Sequence, residues 1–98
     1  MANICTNEMH ICSDDPKNIT AIISFLDKYF PTNEIGEAYD NVVEVTFDSK
    51  WDFPEKKMNY LYQKIPNKKD ILIDCLSVEW GNRYCQFSYC DKNGWHFV

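Results

Sequence analysis

Polar and apolar residues partly alternate over residues 8–12, with Met9 and Ile11 on one side, and this period of two predicts a strand with one buried face. The spacing then changes. Ile19, Ile22, Ile23, Leu26 and Phe30 recur on one helical stripe, which predicts an amphipathic helix. Ser13-Asp14-Asp15-Pro16 supplies its start, because side-chain oxygens accept first-turn amide protons and proline tolerates the first helical position. Pro31 stops it. Residues 34–39 read as a short strand weakened by Gly36, and Asp40-Asn41 is turn chemistry. Over residues 42–48, Val43, Val45 and Phe47 alternate with Glu44, Thr46 and Asp48, the pattern of a sheet with one wet face. Pro54 opens a second helix whose Met58, Leu61 and Ile65 share a side, and Pro66-Asn67 closes it. Strand-like runs follow over residues 71–80, 84–90 and 95–98. Gly81-Asn82 and Asp91-Lys92-Asn93-Gly94 form the turns, the second offering glycine where a hairpin bulge needs a positive φ.

In order, these elements read βαββαβ with one or two extra C-terminal antiparallel strands. The expected fold is therefore α+β, a ferredoxin-like plait with two helices on one sheet face. A chain of 98 residues has room for one core, so residues 1–98 are expected to form a single domain. The sheet face away from the helices is then open.

Three short stretches, Asn3-Ile4-Cys5-Thr6-Asn7, residues 45–54 and Ser77-Val78-Glu79-Trp80-Gly81-Asn82, together resemble the YubB-type ferredoxin-like family of phage, plasmid and other mobile-element proteins. Asn3-Ile4-Cys5-Thr6-Asn7 is similar to its Asn-Trp-Cys-x-Asn opening, with Ile4 in the tryptophan position. Residues 45–54, Val-Thr-Phe-Asp-Ser-Lys-Trp-Asp-Phe-Pro, resemble its strand ending in Phe-x-(Ser/Thr)-x-Trp with proline at a helix start. Ser77-Val78-Glu79-Trp80-Gly81-Asn82 resembles its strand running into a Glu-x-Gly turn. The resemblance implies the same plait and a mobile-element origin. It implies no activity, since the family is largely of unknown function.

Composition narrows the possible roles. Hydrophobic residues make up 45% of the chain and aromatics 15%, enough apolar surface to offset the entropy of ordering a domain. No stretch reaches the roughly 18 apolar residues of a membrane span. The opening Met1-Ala2-Asn3-Ile4-Cys5 lacks the basic-then-apolar layout of a signal peptide, so a cytoplasmic location is expected. The odd number of cysteines, five, argues for free thiols rather than a disulfide framework. A net charge of −5 repels phosphate backbones and makes nucleic acid an unexpected partner, while suiting a basic protein. Such a surface could also imitate nucleic acid.

Candidate chemistry is sparse. Cys75, Cys85, Cys90 and His96 cluster late in the sequence, but a zinc site wants ligands on tight knuckles, and here they fall on separate strands. Cys85 and Cys90 also differ in parity and should face opposite ways. His10 and Cys12 share parity, giving a possible base and nucleophile, though Asp14 and Asp15 nearby would disfavour a thiolate. Asp48 and Asp52 flank Trp51 at a strand-to-helix junction and form the other acid/base candidate. Gly36, Gly81 and Gly94 open no helix, so no phosphate loop exists and no cofactor is expected. Tyr84, Phe87 and Tyr89 imitate the stacking aromatics of RNA-binding plaits but lack basic flanks. Aromatics exceed what a small core encloses, which points to a noncatalytic protein that binds a partner or itself. Trp80, Tyr84, Tyr89, Trp95 and Phe97 are the residues expected to carry that contact.

Overall fold

The computed structural model describes residues 4–98. Its central strand, β1 (Ile4–Cys12), lies between β3 (Val42–Lys50) and β4 (Leu72–Glu79) and is antiparallel to both. β2 (Glu34–Tyr39) flanks β3, while β5 (Tyr84–Asp91) and β6 (Gly94–Phe97) extend the other edge. The sheet order is β2-β3-β1-β4-β5-β6. Each βαβ crossover thus straddles a strand of the other, which is the ferredoxin-like plait, here with an added C-terminal hairpin.

Helix α1 (Pro16–Tyr29) starts as its capping residues require: the Asp15 carboxylate accepts from the Lys17 amide at 2.9 Å, and Pro16 occupies the first turn. Helix α2 (Glu55–Lys64) follows Pro54, which serves as its cap residue. Both helices pack on one sheet face. Odd-numbered residues of β1, β3 and β4 point toward them: Met9 and Ile11, Val45 and Phe47, Ile73 and Cys75 are buried together with Ile22, Leu26, Met58 and Leu61. Burying each large aliphatic or aromatic side chain contributes about 1.5–3 kcal/mol, so this single layer dominates stability. Ile19, Ile23 and Phe30 line its margin.

The alternation ran short in one place. β1 begins at Ile4 rather than Glu8, because Cys5 and Asn7 continue its inward row, and a buried asparagine looks like a solvent position to a hydrophobicity pattern. A 3-10 turn over Lys68–Asp70 also intervenes before β4. The β5–β6 turn has Gly94 at φ +100°, the conformation for which glycine was expected there. Asn3, the first residue of the family-like opening, lies outside the described residues.

Candidate functional site

The sheet face away from the helices carries a polar row that crosses the sheet. Strand register aligns Glu44 of β3 with His10 of β1, His10 with Asp74 of β4, Asp74 with Tyr89 of β5, and Tyr89 with His96 of β6. His10 is bracketed: its Nδ1 lies 2.8 Å from Asp74 Oδ1 and its Nε2 lies 3.4 Å from Glu44 Oε1. The hydrogen bond to Asp74 raises the His10 pKa above its ordinary value, the charges of Asp74 and Glu44 add to this, and partial burial opposes it. At the far edge His96 stacks on Tyr89 with centroids 4.8 Å apart, and its Nε2 is 2.9 Å from Asp91 Oδ1. The Asn93 amide, first, and then His96 hold the Asp91 carboxyl below its usual range.

Apolar side chains border this row. Leu72 is 51% exposed, Leu76 37% and Phe87 41%, all with the outward parity of β4 and β5. Glu8, Glu34 and Asp48 share the face with Glu44, Asp74 and Asp91, whereas Lys50 is the one lysine of these strands pointing there. The open face is thus acidic with apolar ribs.

The five aromatics expected to form one contact surface are divided by the sheet. Tyr89 stands on the open face, and Trp80, in the turn after β4, is 83% exposed. Tyr84, Trp95 and Phe97 have the opposite parity. The Trp95 indole packs on the core edge against Phe53 and donates its N–H to the Met58 carbonyl at 2.7 Å. Phe97 stacks edge-on with Phe53, and the Tyr84 hydroxyl accepts from the Phe53 amide at 3.3 Å. These three hold the hairpin on α2 and the loop before it. Leu72 and Leu76, with Phe87, which was noted only for its likeness to RNA-stacking aromatics, take their place on the open face. Their outward parity was the available signal.

The family-like motifs converge at one end of the sheet, on the helix side. The buried Asn7 side chain donates to the Phe47 carbonyl at 3.2 Å and to Ser49 Oγ at 2.9 Å, and accepts from Ser77 Oγ at 2.7 Å. Ser49 in turn donates to the Asp52 carbonyl at 2.6 Å. The Glu79 carboxylate, 3% exposed, accepts the Gly81 and Asn82 amides at 2.8 and 2.6 Å. Cys5 is sealed beside Asn7, and burial pushes its thiol pKa up. Trp51 adopts φ +72° where the chain leaves β3. These groups satisfy one another and pin the loop of residues 49–54 to the strands, a structural use of the motif.

The other chemical candidates are separated. Cys75 and Cys90 are buried, with pKa values pushed up to about 12 by burial, whereas Cys85 is exposed and has the outward parity shared by His96. Among the described residues no group of three His, Cys, Asp or Glu side chains is arranged to hold a metal ion. The five cysteines are free thiols. His10 and Cys12 do share the open face, but both imidazole nitrogens face carboxylates. Asp48 and Asp52 lie on either side of Trp51 without a hydrogen bond between their carboxylates. No helix among the described residues is long and apolar enough to cross a membrane. No family profile, curated protein or solved structure matches the chain, so the likeness to the YubB-type family rests on the short motifs alone.

Proposed function

We propose that the chain is a small noncatalytic binding protein whose open sheet face docks a lysine- or arginine-rich segment of another protein. The observation that carries this reading is the charge of that face: Glu8, Glu34, Glu44, Asp48, Asp74 and Asp91 stand against Lys50 and two histidines. Between these charges Leu72, Leu76 and Phe87 offer apolar contact to the stems of long basic side chains. A symmetric pairing of two such faces would bring like charges together, so a basic partner fits better than a second copy laid face to face. Imitation of nucleic acid toward a nucleic-acid-binding protein is one form this docking takes. In keeping with the family resemblance, the chain acts as an accessory protein of a phage or other mobile element, within the cytoplasm.

Titration with a lysine-rich synthetic peptide and with a glutamate-rich one of equal length tests the reading. The basic peptide binds with an affinity that falls as salt rises, and Glu8→Lys with Glu44→Lys weakens it by at least about tenfold. Equal binding of the two peptides, or indifference to the charge reversal, overturns it.

A further inference from the structure

On the opposite side of the molecule, α1 and α2 leave a shallow groove of about 270 Å³ between them. Phe25, Tyr29 and Tyr60 form its aromatic wall, with Phe25 and Tyr29 centroids 4.6 Å apart and Tyr29 and Tyr60 centroids 6.1 Å apart. Three lysines surround these rings: Lys57 Nζ is 4.1 Å and Lys28 Nζ 5.3 Å from the Tyr29 centroid, and Lys64 Nζ is 5.0 Å from that of Tyr60. None of the three has a carboxylate partner, since the ion pairs among the described residues all run through histidine. In a chain of net charge −5 this is a local excess of positive charge that the protein's own acids leave uncompensated. The Tyr60 hydroxyl lies beside the Lys64 ammonium. Lys64, followed by smaller effects of Tyr29 and Lys28, lowers the Tyr60 pKa below its ordinary value.

We propose that this groove binds a small phosphate monoester bearing an aromatic ring. A monoester carries close to two negative charges near neutral pH and presents three terminal oxygens, which matches several ammonium groups with the Tyr60 phenolic donor beside them. A carboxylate brings half the charge and two oxygens, and a backbone diester likewise has one charge and two free oxygens, so both leave lysines unbalanced. The Tyr60 ring, 39% exposed, supplies the surface for an aromatic substituent. The size of the groove suits one phosphate and one ring rather than an extended polymer. The site needs no glycine-rich loop, because its donors are side chains projecting from two helices.

The test is titration of the intact chain with phenyl phosphate, followed by amide chemical shifts, at physiological ionic strength. Saturable shifts at Lys28, Tyr29, Lys57, Tyr60 and Lys64 are expected, with benzoate weaker by about tenfold or more and an oligothymidylate lacking terminal phosphates weaker still. Lys57→Gln with Lys64→Gln weakens phenyl phosphate by about tenfold, while Lys92→Gln, far from the groove in sequence and on the β5–β6 turn, leaves it unchanged. Tyr60→Phe keeps the ring and removes only the hydroxyl, so it weakens binding a few-fold without altering the melting temperature. Three results overturn the proposal: shifts that do not saturate, shifts spread equally to Lys17 and Lys92, or benzoate or the diester binding as tightly as phenyl phosphate.

Discussion

Asn7 shows how one polar side chain can organise three strands. Its amide is fully buried, donates to β3 and accepts from Ser77 of β4, so each strand beside β1 is tied to it by a side chain as well as by the backbone ladder. Replacement by alanine leaves the Ser77 and Ser49 hydroxyls without this partner, and a buried unsatisfied polar group costs about 1–3 kcal/mol. Asn7→Ala should therefore lower the urea unfolding free energy by about 2–4 kcal/mol, more than an exposed asparagine such as Asn59 would. His10 acts through charge instead. Its folded-state pKa is raised by Asp74 and Glu44, with Glu8 and Cys12 flanking it on its own strand. A raised value means that the bracket stabilises the fold fully below the unfolded histidine value of 6.5 and that this stabilisation is lost as pH climbs through the folded value. The stability difference between the native chain and His10→Asn should thus be largest near about pH 5–6, where the carboxylates are still ionised, and should shrink through neutrality. A difference that grows with pH would contradict the bracket. His10 was visible in the sequence as an outward residue, but its partners were not: strand register across residues 44, 10 and 74 has no local signature.

Among the elements, α1 was the most legible, because its apolar spacing and its capping residues agree, and the structure starts it at Pro16 with Asp15 as cap. Asp15→Ala should cost about 1 kcal/mol, the usual worth of such a cap. Asn18, three residues on, is a stronger tie. It is fully buried, donates to the Asn67 and Asp70 carbonyls at 2.8 and 2.9 Å, and accepts from the Asn67 amide at 2.9 Å. It thus clamps α1 to the segment that leads from α2 into β4. Asn18→Ala should cost about 2–4 kcal/mol and exceed Asp15→Ala in the same denaturant titration; a smaller loss would show the clamp to be dispensable. Neither Asn7 nor Asn18 belongs to a hydrophobic stripe, which is why reading by periodicity passed over both. The hairpin shows a second limit. Alternation correctly separates Cys85 from Cys90 within β5, but which face β6 presents depends on how the chain passes Lys92, Asn93 and Gly94. That turn sends Trp95 and Phe97 to the helix side, where the Trp95 indole finds the Met58 carbonyl, rather than to the open face.

Across the whole molecule the charges are segregated. The open sheet face is acidic, while α2 and the following turn carry Lys56, Lys57, Lys64, Lys68 and Lys69 against Glu55 and Asp70. Counting residues reveals the net charge but not this polarity, which arises because the outward acids come from five strands dispersed along the chain. The same face holds exposed Leu72, Leu76 and Phe87, an apolar surface of the kind that draws proteins together. Repulsion between like faces opposes that tendency: unit charges about 4 Å apart in water repel by about 1 kcal/mol, and several such pairs would meet in a symmetric dimer. Neutralising the row with Glu8→Gln and Glu44→Gln, which leaves the Asp74–His10 bond in place, should therefore shift the chain from monomer toward dimer in sedimentation at neutral pH. High salt should move the native chain the same way, since screening weakens the repulsion while leaving the apolar ribs able to meet. If the neutralised variant stays monomeric at concentrations where its fold is intact, the leucines and Phe87 are too scattered to drive contact.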